Sequence, residues 1–214
     1  MTRFALSPGQ KVVFIGDSIT ACGRRGTVHM PYGNGYVSLV RSFLLARYPE
    51  YNLTIENRGI GGDTIRHLKA RWAADVLAEN PDVLSVFIGI NDIWRAITGR
   101  PAEAVPLDEY EAIYRELLTE TLKHKGETLL ILVDPYVIET NHKDPFRERM
   151  DAYVACVHRL AAEFHAISVR TQEAFDKALR RQPSTFWSQD RIHPWPHGHA
   201  VIARAFLKAI NYKF

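Results

Sequence analysis

Lys11-Val12-Val13-Phe14-Ile15, followed at once by Gly16-Asp17-Ser18, decides the fold. A continuous apolar run rich in β-branched residues suits a strand covered on both faces, as strands of parallel sheets are. A hydroxyl directly after such a strand stands at the carboxyl edge of the sheet, where open α/β sheets hold their ligands. Leu53–Asn57 reads as a second strand, ending in Gly59-Ile60-Gly61-Gly62. Val83–Ile88 is a third, ending in Gly89-Ile90-Asn91-Asp92, and Thr128–Val133 and Ile167–Val169 make five.

Helical periods fill the intervals. Over Thr64–Asn80, Ile65, Leu68, Trp72 and Val76 recur at steps of three and four and form one apolar stripe, and Pro81 stops the helix. Asp144-Pro145 opens another helix, whose face carries Met150, Tyr153, Val157, Leu160 and Phe164. Leu107–Lys125 and His197–Ala209 complete the set, with long loops over 20–35 and 134–144. This alternation predicts a three-layer α/β/α, doubly wound, parallel five-stranded sheet of flavodoxin-like type. With no internal repeat and no linker composition, residues 1–214 are expected to be one domain.

Composition closes off other classes. The 214 residues are 46% hydrophobic and 24% charged, ordinary for a globular chain. Lys plus Arg number 27 against 24 Asp plus Glu, a net charge of +3 spread along the sequence. Arg24-Arg25 and Arg180-Arg181 are its densest points and read as solvated loop or helix ends, so no nucleic-acid partner is expected. The two cysteines, Cys22 and Cys156, lack metal-ligand spacing and read as free thiols of a reducing compartment. A three-residue apolar run near the N-terminus is too short for a signal peptide, and no stretch is long enough to span a membrane. A cytoplasmic location follows as the expectation.

Four segments then meet at one rim: Ser18, Gly62, Asn91 and Asp190-Arg191-Ile192-His193. Their chemistry fits acyl transfer. A serine hydroxyl needs a base to take its proton as it attacks, and His193 can be that base. Asp190, three residues earlier, can hold Nδ1–H and fix the tautomer. The Ser18 and Gly62 backbone N–H groups and the Asn91 side-chain amide can receive the oxyanion. A protonated His193 cannot serve as base, so activity is expected to fall on the acid side. Taken singly, each feature has a plainer reading as a turn or helix cap; together, in this order, they make a site. Asp17, Trp94 and Trp187 are candidate substrate contacts, the two indoles offering faces to a sugar ring.

Gly16-Asp17-Ser18-Ile19-Thr20, Gly61-Gly62-Asp63-Thr64, Gly89-Ile90-Asn91-Asp92 and Asp190-x-x-His193-Pro194 resemble the four blocks of the SGNH (GDSL-type) hydrolase superfamily. The resemblance implies Ser18 as nucleophile, Asp190 and His193 as its triad partners, and Ser18, Gly62 and Asn91 as the oxyanion hole. Ile19 stands where that family usually has leucine. Gly33-Asn34-Gly35-Tyr36-Val37, Leu68-Lys69-Ala70-Arg71-Trp72, Asn91-Asp92-Ile93-Trp94-Arg95 and Asp144-Pro145-Phe146-Arg147 are similar to intracellular bacterial acetylxylan esterases within it. That narrower likeness implies removal of acetyl groups from carbohydrates such as acetylated xylo-oligosaccharides, with no cofactor and a homo-oligomeric state. The alternative is a general short-chain esterase or thioesterase using the same residues.

Two other classes fit less well. A nucleotide-binding module would need the third glycine of GxGxxG, which the Gly59–Gly62 turn lacks. A metal hydrolase could draw on His29, His193, His197 and His199, but there is no HExxH, and His197 and His199 are two apart at a helix start; no metal is expected.

Overall fold

The computed structural model describes residues 3–24 and 30–214. Arg25 and His29 lie outside the described residues. The strands are β1 (Lys11–Gly16), β2 (Thr54–Gly59), β3 (Val83–Phe87), β4 (Leu129–Val133) and β5 (Ile167–Val169). They form one five-stranded sheet in the order β2-β1-β3-β4-β5, every pair parallel. The chain leaves β1 toward β2 on one side and returns to β3 on the other, so the direction of winding reverses between β1 and β3. That switch point opens a crevice at the carboxyl ends of these two strands. Ser18 follows β1 and Asn91 follows β3, so the topology itself brings them together.

The helices are α1 (Ser18–Ala21), α2 (Tyr36–Arg47), α3 (Ile65–Trp72), α4 (Ile90–Ile97), α5 (Leu107–His124), α6 (Pro145–Glu163), α7 (Thr171–Leu179), α8 (Ser184–Trp187) and α9 (Pro196–Ala209). Apolar strand residues are buried on both faces of the sheet: Val12, Val13, Phe14 and Ile15 of β1 and Val83, Leu84 and Val86 of β3 have almost no exposure. The stripe Ile65, Leu68, Trp72 and Val76 is fully buried, and so are Met150, Val157 and Leu160 of α6. Asp144 caps α6 by accepting from Phe146 N and Arg147 N. Phe164, expected on the α6 face, caps that helix and is only partly buried.

Besides shifts of one or two residues at strand ends, the structure departs from the sequence reading in three places. The helix expected over Thr64–Asn80 is α-helical only to Trp72; Ala73–Leu77 continue as a wider π turn, with Val76 still facing the core. Helices α2, α4 and α7 were not anticipated. Tyr36, Val40 and Leu44 bury one side of α2 at steps of four, so its period was present, but the preceding glycine-rich loop masked it. The basic residues, spread along the sequence, gather at one place in space. Six of them, Arg170, Lys177, Arg180, Arg181, Arg204 and Lys208, line one groove between α7 and α9.

Cys22 and Cys156 are free, as read. Among the described residues no helix is long and apolar enough to cross a membrane.

Candidate active site

Ser18 begins α1, and Asp17 caps that helix by accepting from Ile19 N at 2.9 Å. A first-turn N–H has no carbonyl four residues back inside the helix, so the Ser18 amide is free to point outward. The side chain meets its partner across 175 residues of sequence: Ser18 Oγ lies 2.9 Å from His193 Nε2. His193 Nδ1 lies 2.7 Å from Asp190 Oδ2. A carboxylate only accepts, so Nδ1 carries the ring proton and Nε2 presents a lone pair to the serine hydroxyl.

The Asp190–His193 segment is held from below and from the side. Ser188 and Pro194 form an antiparallel bridge, and Trp195 N donates to Trp187 O at 2.8 Å, which closes the segment into a small hairpin. Inside it, Asp190 Oδ1 accepts from His193 N at 2.7 Å, Ile192 N at 2.9 Å and Ser188 Oγ at 2.9 Å. Burial alone would raise the Asp190 carboxyl. The hydrogen bonds from the His193 ring and from these donors overcome it and hold the group at about 2. Arg191 takes a left-handed backbone (φ 68°), and its guanidinium reaches Glu139 at 2.9 Å and Asp144 at 3.0 Å. Ile138 N also donates to Arg191 O, so the loop after β4 fixes the hairpin. Half of the His193 side chain stays exposed, 56%, which leaves the dyad open to a bulky ester.

The second wall is the turn after β2. Gly62 has φ 85°, a conformation that costs a side chain, and its neighbour Gly61 lies against the Ser18 side chain. Asp63 N donates back to Ile60 O, and no protein acceptor is found for Gly62 N–H among the described residues. Helix α4 grips this turn twice. Asn91 Nδ2 donates to Asp63 O at 2.9 Å, and Arg95, one turn later, donates from Nη2 to Gly62 O at 2.6 Å. An amide nitrogen has two hydrogens, so Asn91 retains one for a ligand. Asp63 is held in turn by Arg71, whose guanidinium reaches Asp63 Oδ2 (2.8 Å), Arg58 O (2.8 Å) and Gly16 O (3.1 Å). Arg71 therefore ties the ends of β1 and β2 to the same turn. The sequence reading missed Arg95, Arg71, Ser188 and Arg191; only the four-residue step from Asn91 to Arg95 was a signal for one of them.

The structure thus brings Ser18, Asp190, His193, Gly62 and Asn91 to one rim. It does not place the three proposed substrate contacts alike. Asp17 is 2% exposed and serves as the α1 cap, so its carboxylate faces inward and not toward a ligand. Trp94 is half-buried against Phe146, with ring centroids 5.4 Å apart. Trp187 packs on Phe186 and His197, donates from Nε1 to Gln182 O, and borders the basic groove. His197 and His199 find separate partners: His197 Nε2 meets Phe186 O, whereas His199 Nδ1 accepts from Tyr36 N and its Nε2 meets Cys22 Sγ.

Two buried acids lie under the rim. Burial pushes the Asp17 and Asp92 carboxyls up to about 7, against backbone hydrogen bonds that lower them. Asp92 accepts from Ile65 N at 2.9 Å, but its Oδ2 has no partner among the described residues. A carboxyl raised in the folded state binds more protons there than in the unfolded chain. Its stabilising effect is present at acid pH and is lost as pH rises through about 7. Asp92→Asn, which keeps the Ile65 contact, is therefore expected to gain on the order of 3 kcal/mol over the parent at pH 8 and to match it near pH 4. Urea midpoints measured across that range test this; a parallel offset at every pH would refute it.

Comparison with known proteins agrees with this architecture. Residues 14–201 match the GDSL-like Lipase/Acylhydrolase family. The chain is 43% identical over 217 residues to an acetylxylan esterase of Geobacillus stearothermophilus, covering 98% of this chain and 97% of that one. The crystal structure of that organism's acetylxylan esterase Axe2 superposes with a TM-score of 0.93 at 42% identity, covering 98% and 97% of the two chains. LAE5, an alpha/beta hydrolase enzyme from the metagenome of Lake Arreo, Spain, superposes with a TM-score of 0.94 at 39% identity, covering 98% and 99%.

Proposed function

Because the chain belongs to the GDSL-like lipase/acylhydrolase family, we propose that it is a serine esterase that removes acetyl groups from carbohydrates, with acetylated xylo-oligosaccharides as the favoured substrates. The observation that carries the reading is the unbroken relay from Ser18 Oγ through the His193 ring to Asp190, beside the Gly62 turn and the Asn91 amide.

In this mechanism Ser18 Oγ attacks the acetyl carbonyl while His193 Nε2 takes its proton. The carbonyl oxygen becomes an oxyanion, received by Ser18 N–H, Gly62 N–H and Asn91 Nδ2. Asp190, ionised down to about pH 2, steadies the imidazolium that forms. His193 then gives its proton to the departing sugar oxygen, and the bond from carbonyl carbon to that oxygen breaks. Water enters, His193 takes one of its protons, and acetate leaves with Ser18 Oγ reprotonated. No cofactor enters any step. The open rim suits a substrate larger than the acyl group, since half of the histidine ring is accessible beside the nucleophile.

Two finer parts of the reading accompany it. Free Cys22 and Cys156 favour the cytoplasm, and a homo-oligomer is carried over from the family resemblance of the sequence blocks.

The test compares initial rates on p-nitrophenyl acetate, butyrate and octanoate with acetate release from acetylated xylo-oligosaccharides. Acetyl esters are expected to be fastest, with acetate released from the sugar. Turnover of longer acyl chains with the sugar untouched would retain the serine chemistry and replace the substrate with a general short-chain ester or thioester.

A further inference from the structure

From the groove between α7 and α9, we infer that this protein has a second site, which binds the carboxylate-bearing part of an acidic oligosaccharide. The inference extends the carbohydrate esterase reading and rests on it for the sugar.

The groove has a volume of about 830 Å³, within the size range of sites for small ligands. Its floor is made of short side chains: Ala174 and Ala178 from α7, and Val201, Ala205 and Ala209 from α9. Its walls carry Arg170, Lys177, Arg180, Arg181, Arg204 and Lys208 against a single acid, Glu173. The chain has 27 cations, 24 acids and a net charge of +3, so this one groove holds more positive charge than the whole molecule has in excess. The remainder of the protein is net negative.

A solvated helix face does not need that arrangement, and several cations on α3, α5 and α6 pair with acids instead. Arg66 pairs with Glu109 at 2.5 Å, Lys69 with Glu116 at 2.7 Å, Arg115 with Glu163 at 2.8 Å and Arg159 with Glu111 at 2.6 Å. In the groove Lys177 approaches Glu173 at 3.7 Å, and the Arg170 guanidinium lies 2.6 Å from His158, which in turn contacts Asp134 at 3.0 Å. Arg180, Arg181, Arg204 and Lys208 have no acidic partner among the described residues. Like charges gathered without counter-charges repel one another, and an anionic ligand relieves that repulsion.

Four of the six cations are arginines, whose planar forks pair with carboxylates through two parallel hydrogen bonds. Trp187 lines the groove, and its carbonyl also accepts from Trp195 N at the base of the Asp190–His193 hairpin. Trp187 thus belongs both to the groove and to the base of the candidate catalytic hairpin, and that shared residue is what relates the groove to an oligosaccharide ester held at the rim. A nucleic acid is the less favoured occupant: sequence-tolerant strand binding relies on successive aromatic platforms, and Trp187 is the single aromatic lining residue.

The experiment uses the full chain and two acetylated xylo-oligosaccharide preparations of equal length, one carrying a uronic acid branch and one neutral. At low ionic strength the acidic substrate is expected to show a KM about three- to tenfold lower, with kcat unchanged. That preference should vanish in R204E/K208E and in R180E/R181E, and in 1 M NaCl, where the Debye length is about 3 Å. Rates on p-nitrophenyl acetate should stay the same in both variants, which reports that they are folded. Equal KM values for the two sugars, or a preference that survives charge reversal, would overturn the proposal.

A second arm separates this failure from failure of the esterase reading. Ser18→Ala protein is titrated calorimetrically with the deacetylated uronate-bearing oligosaccharide and with a short single-stranded DNA. Salt-sensitive binding of the sugar, lost in R204E/K208E, supports the site even where no sugar ester is turned over. Binding of the DNA alone, or of neither, overturns it.

Discussion

Ser18→Ala and His193→Ala are each expected to lower kcat on acetyl esters by roughly 10⁴-fold or more, and the double variant to fall hardly further. The two side chains form one machine. A hydroxyl that has lost its base is a poor nucleophile at neutral pH, and a base that has lost its hydroxyl has only water to activate. The 2.9 Å contact between Ser18 Oγ and His193 Nε2 makes each useless without the other, so their effects cannot add. Neither substitution should disturb the fold, because Ser18 is only half-buried and His193 is exposed at the rim. Asp190→Asn is the milder partner experiment. It keeps the hairpin hydrogen bonds to Oδ1 while placing a donor where Nδ1–H now donates, which favours the wrong tautomer. Single-turnover rates on p-nitrophenyl acetate, with thermal midpoints as the control for folding, measure all three. Additive losses in the double variant, or a Ser18→Ala protein within tenfold of the parent, would remove Ser18 as the nucleophile.

How much of this was legible in the sequence depends on distance along the chain. β1 could be read because four consecutive apolar residues, Val12–Ile15, call for burial on both faces, and the structure extends it only to Gly16. The two-residue offset at β2 has a local cause: Arg58 and Gly59 pair with Ile15 and Gly16, so the parallel register, and not apolar content, sets where the strand ends. α2 was missed because its buried positions Tyr36, Val37, Val40 and Leu44 follow a loop of glycines that suggested no helix.

Ser18, Gly62 and Asn91 were legible because each follows a strand end, a place that local sequence marks, and Asp190 and His193 because their three-residue spacing stands just before the last helix. What holds them was not. Arg71 contacts Gly16, Arg58 and Asp63, and Arg191 contacts Glu139 and Asp144, pairings made only once distant segments meet. Asp17 shows the converse error. A carboxylate beside the nucleophile suggested a ligand contact, yet the backbone of α1 needed a cap, and the side chain turned inward to supply it. The groove between α7 and α9 belongs to the same class, since Arg170 and Lys208 are neighbours only in the folded chain.

Asn91→Ala is expected to cut kcat by roughly 10²- to 10³-fold while KM changes little, because its second amide hydrogen meets substrate only as the carbonyl oxygen gains charge. Helix α4 makes the argument sharper. The first hydrogen of Asn91 Nδ2 already holds Asp63 O, and Arg95 holds the adjacent Gly62 O, so two successive carbonyls of the turn are clamped by side chains one helical turn apart. Loss of Asn91 removes a donor and also loosens the turn that aims Gly62 N–H. Arg95→Met removes the clamp, a nearby positive charge and the ion pair with Glu103 but no oxyanion donor, and a smaller loss, about tenfold, is expected from it. Arg95→Lys should recover part of that loss, since an ammonium can still reach a single carbonyl. Reaction of Ser18 with a phosphonate ester, whose adduct carries the tetrahedral oxyanion, should slow in the same order: Asn91→Ala most, Arg95→Met less, Arg95→Lys least. A KM effect with kcat intact would mean that Asn91 binds the ground-state ester, and the oxyanion would then rest on Ser18 N–H and Gly62 N–H alone.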